Sequence, residues 1–190
     1  ETFCDHIIQE GLKIKWIANF CITENRDKVI FEKFRQAGCC ALRMGIESGS
    51  DKILAKYNKN FVISQAEEAL RMIYDVGIET HINLIVGFPG ETEEDYQDTL
   101  DFVERNKDSI TRIANVHPFY ITPSSIVEKN HQKFGVIFPN HHDFSLTWYN
   151  EDKTNTYELR KARALKLKQH VKKLGLGFED DTALVFYDEA

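Results

Sequence analysis

Residues 82–95 read I-N-L-I-V-G-F-P-G-E-T-E-E-D. The apolar run from Ile82 to Phe88 has the character of a strand covered on both faces. It closes in a compact Gly-Phe-Pro-Gly turn, in which Gly90 permits the bend and Glu91 favours the positive end of a helix. Thr92 then suits the cap of that helix, which carries Tyr96, Leu100 and Val103, with Glu93, Glu94 and Asp95 in its first turn. Upstream, Ala41 to Glu47 (A-L-R-M-G-I-E) leads into Ser48-Gly49-Ser50-Asp51 with the same order of strand, small-residue turn and helix start. Ile14 to Phe20 and Ile113 to Ile121 are two more strand candidates. Between them, Asp27 to Gln36 places Val29, Ile30, Phe31 and Phe34 at helical spacing and ends at Gly38. A short helix opens near Ser50 or Asp51 with Ile53 and Leu54. A longer one starts at Ser64, in the capping-box form Ser64-Gln65-Ala66-Glu67, and runs through Leu70, Ile73 and Tyr74 to Gly77.

Strands alternating with helices predict right-handed crossovers and an α/β fold with a parallel sheet covered by helices. An open doubly wound sheet and a barrel both satisfy the pattern. In either, a ligand lies beyond the carboxyl ends of the strands, which directs attention to Glu47–Ser50, Gly87–Glu91 and Phe119–Ser124.

Composition bounds the function classes. The chain has 190 residues, 42% of them hydrophobic, with 24 Lys and Arg against 30 Asp and Glu. Thirteen Phe, seven Tyr and two Trp supply too much burial drive for a disordered chain. No apolar run approaches the roughly 20 residues of a membrane helix, and a net charge of −6 disfavours nucleic acid as a partner. The chain opens at Glu1 without a Met or a signal-like leader, and reads as a piece of a longer protein. Cys4, Cys21, Cys39 and Cys40 lack CxxC spacing, which suits reduced thiols in a cytoplasmic protein.

At the first junction, Glu47 at a strand's carboxyl end can accept two hydroxyl hydrogen bonds from a sugar edge, and the Gly/Ser turn lets a ligand approach the backbone. A capped turn with a satisfied acidic residue explains the same residues. At the second, the apolar strand end can floor a flat aromatic ligand. A tight strand-to-helix connection explains it equally. It is not a phosphate-binding loop, lacking the GxxxxGK[ST] form.

In order, K-W-I-A-N-F, A-G-C-C-A-L-R-M-G-I-E-S-G-S, I-N-L-I-V-G-F-P-G-E-T-E-E-D and P-F-Y-I-T-P-S-S resemble the later barrel strands of the radical S-adenosylmethionine (SAM) superfamily, in its methylthiotransferase and cobalamin-binding branch. The resemblance covers residues 1–124 and implies a partial (β/α) barrel, related to the TIM barrel, of which this chain would hold strands three to six. Residues 125–190 would form a mostly helical extension. The family carries a 4Fe-4S cluster on a CxxxCxxC loop after strand one and cleaves SAM reductively to a 5′-deoxyadenosyl radical; cobalamin is a further cofactor the branch admits. Neither that loop nor the strand-two motif is in this chain, so the resemblance implies an iron-sulfur, SAM-dependent enzyme of which this part is a wall without the reactive centre, inactive alone. It further implies cofactor-binding roles for Glu47 and Ser48 at the ribose, Ile85 against adenine with Gly87 in the following turn, and Phe119 and Tyr120 at the adenine edge. Gly90 and Glu91 match the remaining fixed positions of the same element. Lys59 lies near where relatives place a basic residue facing the SAM carboxylate. Asn83 stands where the family pattern has its first Gly.

Beyond Ser125 the pattern weakens. His131 to Trp148 looks irregular, and Tyr157 to Leu174 reads as a basic helix that carries Leu159, Ala162, Leu167, Val171 and Leu174 and stops before Gly175. Its Arg160, Lys161, Arg163, Lys166, Lys168, Lys172 and Lys173 suit a solvated face. Leu184 to Tyr187 suggests a last short strand. His141-His142 suits a surface role better than a metal site, and His81 and His117 suit hydrogen-bonded scaffold roles. The expected partners are the amino-terminal part of the same protein, a substrate that the residues leave unspecified, and a second copy joined at the edge of the first strand. Two other readings stay open: a non-catalytic half-barrel that binds a protein or nucleotide-like ligand, and a different barrel enzyme using Glu47 or Glu91 as an acid or base.

Overall fold

The computed structural model describes residues 2–23, 27–139 and 144–179. Its elements are, in order, α1 (Thr2–Gln9), β1 (Trp16–Phe20), α2 (Lys28–Gln36), β2 (Cys39–Glu47), α3 (Asp51–Lys56), α4 (Ile63–Asp75), β3 (Glu79–Val86), α5 (Glu93–Arg105), β4 (Arg112–Pro118), α6 (Ile126–Lys129), β5 (Val136–Ile137), α7 (Phe144–Thr147), β6 (Tyr149–Asn150), α8 (Tyr157–Lys173) and β7 (Gly177–Phe178). The main sheet has the order β1-β2-β3-β4-β7 and every pairing in it is parallel. This is the curved, helix-backed sheet of a partial barrel, and the four expected strands are all in it. Among the described residues β1 pairs on one side only.

Alternation along the strands explains the two faces of the sheet. Leu42, Met44 and Ile46 of β2 and Ile82, Leu84 and Val86 of β3 are buried against the helices. Their neighbours Arg43, Gly45, Asn83 and Ile85 are only half-buried, and lie on the opposite, concave face. The helices complete one core: Phe31 from α2, Leu70 and Ile73 from α4, Leu100 and Val103 from α5, and Leu167 and Val171 from α8. A smaller cluster of Ile121, Val136 and Trp148 holds the β5–β6 hairpin.

Local chemistry sets the helix boundaries. Asp27 accepts from Val29 N–H at the start of α2. Thr92 and Asp95 form a reciprocal box at the start of α5. Helix α4 begins one residue before the expected Ser64: Val62 is the cap residue, its N–H donates to Gln65 Oε1, and Asp51 accepts from Ile63 N–H at 2.7 Å. Ser64 was a plausible cap by residue type, but the Asp51 carboxylate reaching across from α3 wins the position.

Helix α8 corrects the expectation of a wholly solvated basic face. Arg160 is fully buried and Arg163 is 7% exposed, whereas Ala162 faces out. The inward row is Arg160, Arg163, Ala164, Leu167 and Val171. The other basic residues named on this helix, Lys161, Lys166, Lys168, Lys172 and Lys173, are exposed as expected. The sheet gains a strand in β7, beside β4. The expected strand at Leu184–Tyr187 and the His141-His142 pair lie outside the described residues. His81 is buried and bonded to Glu79 at 2.9 Å, whereas His117 is exposed on β4. Among the described residues no helix is long and apolar enough to cross a membrane.

Candidate functional site

Two strand-to-helix junctions meet at the carboxyl end of the sheet. Strand β2 ends at Glu47, whose φ of 68° is in the left-handed region that side chains with a Cβ rarely adopt. The register with β3 slips between Gly45 and Glu47, so the strand end is re-aimed by a bulge. The carboxylate folds back over Gly45: a Cβ built there would lie 2.5 Å from Glu47 Oε1. Lys59 Nζ clasps this arrangement, donating to Glu47 Oε1 at 3.1 Å and to the Gly45 carbonyl at 2.9 Å. The Glu47 side chain is 17% exposed. Its second oxygen takes no hydrogen bond among the described residues. Gly45 pairs in register with Asn83 on the concave face, and although the bulge sets Glu47 opposite Leu84, its carboxylate reaches that face by folding back over Gly45.

Ser48, Gly49 and Ser50 turn the other way, onto α5. Ser48 is fully buried, with its hydroxyl 3.3 Å from Thr99 Oγ1 and accepting from Ser50 N–H. Gly49 N–H donates to Thr99 Oγ1 at 3.0 Å, and a Cβ at Gly49 would meet the Asp98 carbonyl at 2.4 Å. Ser50 Oγ donates to Asp95 Oδ1 at 2.8 Å and Lys52 Nζ to Asp95 Oδ2 at 2.7 Å. The same Asp95 accepts from Thr92 N–H and Thr92 hydroxyl at the second junction. One carboxylate therefore staples the two turns together. Burial pushes the Asp95 carboxyl up, but the hydrogen bonds from Lys52, Thr92 and Ser50 outweigh it and hold the group at about 2.

The second junction is held from behind. Gly87 has φ +82°, and its N–H donates to Glu91 Oε1 at 2.9 Å. Glu91 is buried and bonded to Arg163 Nη1 at 2.9 Å, while Arg163 Nη2 reaches Glu93 at 2.9 Å. Burial pushes the Glu91 carboxyl up to about 7, against the opposite pull of the Gly87 N–H and Arg163. Asn155 Nδ2 donates to the carbonyls of Gly87 at 3.1 Å and Phe88 at 3.2 Å. The stem of Arg160 lies against Gly87, where a Cβ would come within 2.2 Å of its Cγ. At the lip of the opening Phe88 packs on Tyr57 and Phe119, with ring centroids 4.3 and 4.9 Å away. Phe119 N–H also donates to the Val86 carbonyl at 2.8 Å, tying the end of β4 to the end of β3.

The fold thus sets Glu47, Lys59 and Ile85 toward the concave face, with Gly87 and Phe119 at the strand ends beside it. Ser48 points into α5, Lys59 bonds to Glu47 itself, and Tyr120 is 49% exposed. Sequence reasoning missed Asp95 as a staple, Tyr57 as an aromatic wall, and Asn155, Arg160 and Arg163 as supports. The spacing of Thr92 and Asp95 signals a capping pair but not its link to Ser50 and Lys52. The three supports lie 64 or more residues from the Gly87–Glu91 turn they hold, and carry no local signal.

The four thiols are free: Cys4 and Cys39 are buried, Cys40 is half-buried and Cys21 is exposed. Among the described residues no group of three or more His, Cys, Asp or Glu could hold a metal ion.

Comparison with known proteins gives a consistent picture. The Radical SAM superfamily profile matches residues 4–103. An anaerobic magnesium-protoporphyrin IX monomethyl ester cyclase of Cereibacter sphaeroides is 33% identical over 124 residues, 64% of this chain and 20% of that protein. A tRNA-2-methylthio-N(6)-dimethylallyladenosine synthase of Corynebacterium diphtheriae is 38% identical over 89 residues, 45% of this chain and 16% of that protein. The match thus spans a fifth or less of the length of these two relatives. Among solved structures, the radical S-adenosylmethionine methyltransferase TsrM from Kitasatospora setae, with cobalamin and a [4Fe-4S] cluster bound, superposes with a TM-score of 0.62 at 13% identity, over 86% of this chain and 39% of that one.

Proposed function

The chain belongs to the radical SAM superfamily, and we propose that it forms the wall of a SAM-binding barrel and the substrate side beyond it, in a larger enzyme whose cluster is held elsewhere. The observation that carries this reading is Glu47, fixed in a left-handed conformation with one oxygen clasped by Lys59 and the other free. A carboxylate so held is a ready acceptor for the vicinal hydroxyls of a ribose, and orienting it in advance lowers the entropy cost of binding. The absent side chains of Gly45 and Gly87 make room for the folded-back Glu47 and for the Arg160 stem, and Ile85 and Phe119, backed by Phe88, supply an apolar rim suited to a purine. The residues present therefore fit the adenosyl part of SAM, with Glu47 at the ribose and Ile85, Gly87 and Phe119 toward the base.

They do not fit an iron-sulfur cluster. Cys4, Cys21, Cys39 and Cys40 lie on α1, after β1 and at the start of β2, and have no three-ligand loop spacing. Cluster and SAM together supply reductive cleavage to a carbon radical in this family; this chain's residues bind, orient and exclude water. Cobalamin enters only through relatives such as TsrM, and no residue of this chain is assigned to it. The open edge of β1 is where the rest of such a barrel would continue, or where a second copy would pair if the chain stood alone. Free thiols suit a cytoplasmic setting.

The test is formation of 5′-deoxyadenosine under reducing conditions. The full-length, cluster-loaded protein should produce it, Glu47→Ala should lose at least about tenfold in SAM affinity, and the 190-residue chain alone should produce none. Product from this chain alone would overturn the division of labour between this wall and the cluster-bearing part.

A further inference from the structure

We propose that Asn155 and Arg160 are positioning residues that set the shape of the Gly87–Glu91 turn, and through it the affinity of the opening for an adenosyl ligand. The proposal rests on the SAM-binding reading of the opening, and adds to it a region that lies outside the family match at residues 4–103.

The Asn155 carboxamide is the donor for two successive carbonyls, those of Gly87 and Phe88. The Phe88 carbonyl also takes the Glu91 N–H at 2.9 Å within the turn, so it is the Gly87 carbonyl that relies on Asn155 among the described residues, and a buried carbonyl without a donor is costly. Asn155 is itself buried, at 1% exposure, and cannot swing to solvent. Its other amide atom is held too: Arg160 Nη1 donates to Asn155 Oδ1 at 3.2 Å and to its carbonyl at 3.1 Å. This fixes which end of the carboxamide faces the turn.

Arg160 is placed as a rigid strut. Its guanidinium stacks 3.7 Å from the Trp148 ring centroid, and Nη2 donates to the Trp148 carbonyl at 3.0 Å. Among the described residues no carboxylate pairs with it. A fully buried cation whose acceptors are all carbonyls is poor value as a source of stability, since an apolar side chain would fill the space without the desolvation cost. What the guanidinium fork provides is geometry: it fixes Asn155, Trp148 and the backbone of α7 in one orientation. The stem of the same side chain occupies the space that any Cβ at Gly87 would need. Strut and turn are therefore mutually fitted, and Ile85 stands two residues before the fitted glycine.

Calorimetric binding of S-adenosyl-L-homocysteine to the full-length protein tests this without requiring turnover. Asn155→Asp sets a carboxylate against two carbonyl oxygens, and Arg160→Lys keeps the charge but loses the fork; each should weaken binding by about tenfold or more. Val171→Ala opens the core at the far end of α8, about 16 Å along the helix from Arg160, and should lower the melting temperature while leaving affinity unchanged. Wild-type affinity in both Asn155→Asp and Arg160→Lys overturns the proposal, as does an equal loss of affinity in Val171→Ala. If Asn155→Asp fails to fold, Arg160→Lys decides alone. No binding by the unsubstituted protein overturns the functional reading itself, and is distinguished from these outcomes by that control.

Discussion

The two junctions at the mouth of the sheet are held by different kinds of neighbour. The turn after Glu47 is braced from the helix of the following strand–helix unit, through Asp95 and Thr99 of α5. The turn after Val86 is braced from α8 and the segment before it, through Asn155, Arg160 and Arg163. The first junction leaves a charged group open at its end, while the second buries its charge behind the turn. One is built to present a carboxylate and the other to hold a tight turn against a fitted support. A barrel repeat can supply its own support for the first, but burying the back of the second requires chain from outside the repeat.

The largest expected effect breaks the rear support. Arg163→Ala leaves Glu91 buried beside only the Gly87 N–H, and should cost about 3 kcal/mol or more at pH 8 in urea unfolding. At pH 5 the cost should shrink, because the orphaned carboxyl takes up a proton. In the unsubstituted protein the sign is set by burial: the folded value near 7 lies above the ordinary 4.5. Glu91 therefore contributes stability below 4.5 that is lost as the pH rises toward 7. Glu91→Gln should flatten that slope. A cost for Arg163→Ala that is equal at both pH values would mean the pair does not hold the turn as described.

Next comes a matched pair of glycines. Gly87→Ala meets both the positive φ and the Arg160 stem at 2.2 Å, and should destabilise by about 2–3 kcal/mol. Gly45→Ala meets only the ends of two side chains, Glu47 Oε1 at 2.5 Å and Lys59 Nζ at 3.3 Å, and should change stability by less than about 1 kcal/mol. Its effect should appear in binding, where the displaced carboxylate loses S-adenosyl-L-homocysteine by calorimetry. If both substitutions cost stability alike, the contrast between a presented and a buttressed junction is wrong.

The contrast also explains what could be read from the sequence. Strands, crossovers and the places of Glu47, Ile85 and Gly87 were legible because each depends on residues within a few positions of itself. Period, turn glycines and the Thr92 cap are local signals, and the family resemblance extends along the same units. Burial of Arg160 and Arg163 was not legible. On a helix with basic residues on every side, type alone assigns them to solvent, and only their acceptors reverse that: the carbonyls of Leu146, Trp148 and Asn155 for Arg160, and Glu91 and Glu93, 70 or more residues upstream, for Arg163. Ser48 shows the same limit at short range. Its place beside Glu47 suggests a ligand contact, but the left-handed turn at Glu47 sends it to Thr99.

The smallest effect separates the two supports by pH. Asp95 sits at about 2, below its ordinary 3.8, because four hydrogen bonds from Lys52, Thr92 and Ser50 outweigh its burial. A depressed value contributes stability that is fully present above 3.8 and is lost as the pH falls toward 2, about 2 kcal/mol at most. Lys52 is 53% exposed, so its share is screened and the measured loss should fall below that bound. Asp95→Asn should remove the acid-side loss and, unlike Arg163→Ala, leave the slope between pH 4.5 and 7 intact. Each support then has its own pH window, acid for the Asp95 staple that joins both turns and near-neutral for the pair behind Gly87. A single shared transition, unchanged in shape by Asp95→Asn, would mean that the two supports rise and fall as one unit.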